Sequence, residues 1–245
     1  MTSDWPWALL LLLISPAVGS FLGVVVDRLL RRVPVLMPAS TCSKCSVRLA
    51  WRDMVPVLSA VRLGGRCRSC DASFPGYLMR IEIGSMLAAL IVVAWVPGVL
   101  QMWVSAAVLW CLIGLFYSDL IGFRLPDPLT GALLLLGMLY AGITHGVQAG
   151  VIGAVVGVGA FWLIRWGYFQ WRGKEGLGLG DVKLMAGLGA IVGWSMIPLL
   201  TLVAAGLALV ITLLAAARTK ERIHPGRILP FGSYLCVAGA IVMFI

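Results

Sequence analysis

The sequence predicts an all-α polytopic membrane protein of about eight transmembrane helices, interrupted by one small cysteine-bearing cytoplasmic loop domain. Three observations carry that expectation. Of 245 residues, 61% are hydrophobic and only 12% charged, against about one quarter charged in soluble domains. Apolar runs near the length of a bilayer crossing, about 20 helical residues, recur at 6–27, 80–97, 99–118, 128–146, 147–166, 183–197, 199–217 and 229–245. Finally, all 19 Lys and Arg fall on one side of the membrane if the N-terminus is outside: ten in 28–80, one in 119–127, four in 165–183 and four in 218–227.

Each run has legible ends. The first follows Asp4 and is closed by Arg28, Arg31 and Arg32. That order suits an uncleaved anchor with its N-terminus outside rather than a cleaved leader, which would begin with positive charge. Pro97–Gly98 separates the second and third runs, and Pro126 and Pro128 prevent a continuous helix from the third into the fourth. The outside turns, THGVQAG at 144–150 and GWSMIP at 193–198, hold no Lys or Arg. The expected organisation is a first span at 1–30, a cytoplasmic loop at 31–79 and a seven-span core at 80–245. The net charge of +9 then reflects topology and attraction to anionic headgroups. Spread over four loops, it does not describe a nucleic-acid-binding face.

The loop carries Cys42-Ser-Lys-Cys45 and Cys67-Arg-Ser-Cys70. Two CxxC knuckles supply four thiolates, a closed tetrahedral set that suits structural zinc. A segment of about 50 residues buries little core of its own, and a metal cross-link compensates. Lys44, Arg66 and Arg68 favour thiolates. Four free thiols or two disulfides are the competing states, and a cytoplasmic location disfavours the disulfides. Cys111 and Cys236 lie within apolar runs and read as packing residues.

Two aspartates stand out. Asp119 ends the third run in SDLIGFRLPD, and Asp181 follows Gly176, Gly178 and Gly180 in GLGLGDVK, with Lys183 two residues on. Ionisable groups beside hydrocarbon persist where they have a partner, water or a function. Both lie at the same membrane face in the charge-derived topology. Two neighbouring carboxylates in low dielectric cannot both ionise cheaply, so one keeps its proton while the other activates water. That is the requirement of an aspartyl hydrolase, with Asp119 and Asp181 as the candidate pair. Simpler roles compete on spacing alone. Asp181 could cap a helix beginning at Val182, Asp119 could pair with Arg124 or a lysine, and Asp127 could cap the fourth span. His145 and His224 fall on opposite expected sides, which excludes a Ser-His-Asp arrangement. The glycine run lacks the hydroxyl residue of a phosphate loop.

These motifs, taken in order, resemble the type IV prepilin peptidases, the leader peptidase and N-methyltransferase family of GxGD intramembrane aspartyl proteases. The resemblance runs through GSFLGVVVDRL (Gly19–Leu29), the paired CxxC loop, SDLIGFRLPD, GLGLGDVKLMAGLGAIVGW (Gly176–Trp194) and LPFGSYL (Leu229–Leu235). It implies Asp119 and Asp181 as catalytic residues. Gly178, Gly180, Lys183, Asp127, Pro230 and Gly232 would be supporting motif positions, and Glu82 a possible methyltransferase residue. It also implies structural Zn2+ on the cysteines and S-adenosylmethionine as methyl donor. The expected partners are a prepilin or pseudopilin substrate helix and the lipid bilayer of a bacterial inner membrane, with no nucleic acid. Gly23 stands where the first motif commonly has asparagine, and CSKC replaces CPxC; neither removes a candidate ligand or carboxylate. Two other readings remain at this point. One is a peptidase that keeps the loop only as scaffold. The other is a proton- or ion-coupled transporter, which would show paired repeats with broken helices near the midplane; none is visible.

Overall fold

The computed structural model describes residues 4–34, 42, 44–48, 64–174, 176–219 and 229–245. Most of the 31–79 loop outside its cysteine turns, and the basic segment holding His224, lie outside the described residues. Among those described, the chain forms eight α-helices: α1 Trp5–Arg31, α2 Gly76–Trp95, α3 Val99–Gly122, α4 Asp127–Thr144, α5 Val147–Arg172, α6 Leu179–Val192, α7 Ile197–Thr219 and α8 Phe231–Val242. A short 3-10 turn, Trp194–Met196, leads into α7.

The helices match the expected runs with two informative differences. Among the described residues, six apolar segments are long enough to cross a membrane. However, α6 has 14 residues and α8 has 12, so at 1.5 Å per residue they reach only about 21 and 18 Å of a core about 30 Å thick. The cause is local in both cases. Gly193 ends α6 with a φ of 73°, which ordinary residues rarely adopt, so the sixth helix stops short of the expected 197. It also starts four residues earlier than expected, at Leu179. Pro230 delays α8 until Phe231.

The chain divides into two compact units, Met1–Tyr117 and Ser118–Ile245. In the first, α1 packs along α2 because small residues face the contact: a Cβ on Gly19 would lie 2.8 Å from the Glu82 Cα, and one on Gly23 would lie 3.0 Å from a Leu78 methyl. At the end of this pair, the Tyr77 hydroxyl donates to Asp27 at 2.7 Å and Arg31 pairs with Asp27 at 3.0 Å. This clasp joins the two chain ends from which the cysteine loop departs.

In the second unit α6 is the central helix, with α4, α5 and α8 against it. Nine of its 14 residues are buried, Asp181, Val182 and seven of those from Leu184 to Ile191. Glycines make that enclosure possible. Gly153 of α5 and Gly189 of α6 meet backbone to backbone, each standing where the other's Cβ would collide with a carbonyl oxygen. A Cβ on Gly157 would lie 2.7 Å from the Met185 carbonyl oxygen, and one on Gly137 of α4 would lie 2.8 Å from that of Gly187. Close approach through small residues is the main packing device where lipid removes the hydrophobic drive between helices.

Replacing Gly189 or Gly153 with leucine is expected to destabilise the purified protein by about 1–3 kcal/mol or more, the range for overpacking. Gly159, with nothing within 4 Å of its missing Cβ, should accept alanine without loss. Thermal unfolding in detergent checks both.

Candidate functional site

Asp119 and Asp181 reach one place by different local routes. Asp119 sits in the last turn of α3, which Phe123 closes in the left-handed conformation (φ 49°) while its N–H donates to the Asp119 carbonyl at 2.9 Å. A non-glycine residue there carries strain of about 1–3 kcal/mol, and the following Arg124-Leu125-Pro126 then turns the chain sharply into α4. Asp181 lies in the first turn of α6, where a helix dipole favours a negative group. The helix begins at Leu179 with Gly178 as its N-cap, so Asp181 is not the cap that spacing alone allowed.

The two carboxyl groups converge over Gly232 of α8. A Cβ placed there would lie 3.0 Å from Asp181 Oδ1 and 3.1 Å from Asp119 Cγ. Both acids thus press close to this glycine, and any side chain at 232 would crowd them apart. Both residues are buried, at 6% and 8% exposure for Asp119 and Asp181. Leu125 forms an apolar wall: its side chain lies within 3.2 Å of a Cβ on Gly180 and 2.9 Å of one on Gly232.

Asp119 is held by Ser233, which spacing did not single out. The Ser233 main-chain N–H donates to Asp119 Oδ2 at 2.7 Å, and its hydroxyl donates to the same oxygen at 3.1 Å. Ser233 lies within LPFGSYL, so the segment was visible but the contact, 114 residues apart in sequence, was not. Pro230 is the N-cap of α8 and offers no capping side chain. The Ser233 N–H also reaches the Pro230 carbonyl at 3.2 Å, so Asp119 shares a donor of the first turn of α8 and is the nearer acceptor.

Lys183 does not turn toward the acids. Its Nζ meets Asp127 Oδ1 at 2.6 Å in an exposed ion pair, which links the first turn of α6 to that of α4. Two further residues that sequence reasoning passed over shape the approach to α6. Arg165 of α5 donates from a guanidinium nitrogen to the Leu177 carbonyl, and Tyr168, one turn on, lies flat against Gly176, leaving only 2.5 Å for a Cβ. Glu82, in the first unit, is on the α2 face that Gly19 of α1 approaches.

The four cysteines also converge, within the first unit. Both turns have the same wiring. Ser46 N–H donates to the Cys42 carbonyl and Asp71 N–H to that of Cys67, each at 2.9 Å. Cys42 N–H reaches Val47 O and Cys67 N–H reaches Ala72 O. Ser46 and Asp71 share a φ of 57°. The Cys42–Cys70 and Cys45–Cys67 sulfur separations are 3.7 and 3.8 Å, and all four sulfurs lie within 4.8 Å of one another. A tetrahedron with Zn–S bonds of about 2.3 Å has sulfur separations of about 3.8 Å, whereas a disulfide needs about 2.05 Å. The donor set fits zinc. Main-chain N–H groups of Cys45 and Lys44 lower the Cys42 thiol to about 6. The Ala72 N–H pulls Cys70 down, yet its crowded sulfur neighbours and burial push it up to about 12. All four sulfurs could ionise at this spacing only with a cation between them.

The described structure is thus a polytopic helical membrane protein with a buried pair of aspartates in one unit and a tetrahedral cysteine cluster in the other. The chain belongs to the type IV leader peptidase family, whose signature it matches over residues 106–213; residues 13–96 match the bacterial peptidase A24 N-terminal domain. Similar curated proteins include the prepilin leader peptidase/N-methyltransferase of Pectobacterium carotovorum subsp. carotovorum, 34% identical over 92% of this chain and 88% of the relative. That of Pseudomonas putida is 36% identical over 92% and 86%, and that of Dickeya chrysanthemi 34% identical over 96% and 91%. No solved structure matches.

Elemental analysis of purified protein should find one zinc per chain. Cys42→Ser or Cys70→Ser should lose it and loosen the loop. Metal-free protein with four titratable thiols would contradict the cluster.

Proposed function

We propose that the chain is an intramembrane aspartyl endopeptidase that removes the basic leader of prepilin-like proteins at the cytoplasmic membrane face. It would then methylate the new α-amine with S-adenosylmethionine as donor. The observation that carries the proposal is the meeting of Asp119 and Asp181 over Gly232, in a family whose curated relatives are named for both activities. Two buried carboxyls brought together over a glycine supply a base and an acid for one water and a peptide carbonyl. Peptide hydrolysis by this route uses neither a nucleophilic side chain nor the zinc, which we assign a structural role.

The charge distribution supports the face. The basic leader of a substrate stays inside by the same rule that orients this chain, so its junction with the substrate's apolar helix lies at the side where Lys183 and Asp127 pair. The exposed ion pair marks Asp127 and Lys183 as a brace between α4 and α6 rather than as reacting groups. The cysteine cluster and Glu82, with the first unit, are assigned to the methylating activity. The peptidase-only alternative rests on Gly23, which packs against Leu78 where the family motif commonly offers a polar amide.

Mass spectrometry of a co-expressed prepilin's N-terminus tests both activities together. Asp119→Ala and Asp181→Ala should each lower cleavage by roughly 10³-fold or more while the protein still inserts, because the members of a catalytic unit do not substitute for one another. Asp127→Asn should be milder, within about tenfold, since an exposed ion pair contributes about 0–1 kcal/mol. Wild-type cleavage by Asp181→Ala would sink the dyad. Methylation should require prior cleavage and S-adenosylmethionine, and cleavage should require neither. A cleaved but unmodified N-terminus at saturating donor with zinc intact would leave the peptidase-only reading.

A further inference from the structure

The geometry points to Ser233 as the positioning residue that breaks the symmetry of the dyad, holding Asp119 as the ionised base and leaving Asp181 as the proton-bearing acid. This inference rests on the proposed peptidase reading and extends it to the role of each carboxyl. Both Ser233 donors, the N–H at 2.7 Å and the hydroxyl at 3.1 Å, aim at one oxygen, Asp119 Oδ2. Hydrogen bonds donated to a carboxylate favour its charged form. Ser233 is also in the first turn of α8, as Asp181 is in that of α6, so the helix termini do not tell the acids apart and the paired Ser233 donors do. Asp181 has no such hydroxyl donor among the described residues: the main chain of Gly178 hydrogen-bonds to it, against both a main-chain and a hydroxyl donor at Asp119, and Asp119 itself faces it across Gly232. With one carboxyl fixed as the anion, the other retains the shared proton.

The step then has a direction. Asp119 removes a proton from water as the water oxygen bonds to the scissile carbonyl carbon, and the Asp181 proton passes to the carbonyl oxygen, giving a gem-diol. On collapse the C–N bond breaks with its electron pair going to nitrogen, which takes the proton held by Asp119. Asp181 recovers a proton from the gem-diol. One peptide and one water become an acid and an amine, and both carboxyls return to their starting states. Oδ1 of Asp119 is the oxygen that faces water, because Oδ2 is engaged by Ser233. Gly232 serves the same end: a Cβ there would crowd Leu125 and both acids, so glycine is what lets the two carboxyls come together.

The test uses the full chain in lipid vesicles with a purified prepilin substrate. Ser233→Ala keeps the main-chain donor and loses the hydroxyl, so kcat should fall about 10- to 100-fold, the effect of one hydrogen bond to a charged group, with KM changed less than about twofold. Ser233→Thr should recover most of that loss and Ser233→Val should not. A second comparison is independent of how well Ser233 variants fold. Asparagine at 181 still offers an N–H to the carbonyl oxygen, whereas asparagine at 119 cannot accept a proton from water. Asp181→Asn should therefore exceed Asp181→Ala by about tenfold, and Asp119→Asn should be no better than Asp119→Ala. A wild-type kcat in Ser233→Ala, or equality of Asn and Ala at both acids, or the reverse order, overturns the assignment. Wild-type cleavage by an alanine variant of either acid removes the peptidase reading itself, which separates the two failures.

Discussion

The enclosure of α6 by glycine-lined neighbours is the constraint on which the second unit depends. A 14-residue helix is too short to span the bilayer alone, so its position depends on its neighbours. It is held in place by backbone contact between Gly153 and Gly189 and by the close approach of Gly157 and Gly137. Bulkier residues would separate the helices and let water or lipid reach Asp181. The small residues thus act on the site indirectly, by keeping its surroundings dry and its geometry fixed. The second short helix, α8, completes the arrangement. Its first turn brings Gly232 and Ser233 to Asp119, and an ordinary full-length span would have carried that turn elsewhere.

Polar groups in this protein are distributed by consequence. Asp119 and Asp181 are buried and confined to α3 and α6, whereas Asp127 and Lys183, only a few residues away in sequence, are exposed and neutralise one another. The first unit follows the same economy with different chemistry. A loop of about 50 residues, too small to bury much core of its own, is closed at its root by the Asp27–Tyr77–Arg31 clasp and at its tip by four sulfurs set at tetrahedral spacing. In the proposed reading the buried acids cut the peptide and the metal only shapes the loop.

Most of the architecture was legible in the sequence because bilayer thickness and charge asymmetry act on long stretches of chain. Span positions, the cysteine turns and the two aspartates are all local or additive signals. What escaped was set by contacts between distant segments. The true extent of α6 depended on Gly193 adopting positive φ and on the helix starting inside the glycine run, so Asp181 falls in the first turn rather than at the cap. Ser233 gave no periodic or spacing signal, since its partner is 114 residues away. Arg165 read as one more cytoplasmic charge, yet it reaches the Leu177 carbonyl and orders the approach to α6.

The central claim is that Asp119 and Asp181 act as one unit on a peptide carbonyl. Binding of a substrate-like peptide whose scissile carbonyl is replaced by a tetrahedral hydroxyl group tests it without requiring turnover. The account predicts tight binding to the wild-type chain, a large loss on replacing either acid with alanine, and no further loss in the double variant, because coupled groups are non-additive. Losses that simply add, or tight binding that survives in either single variant, would contradict it.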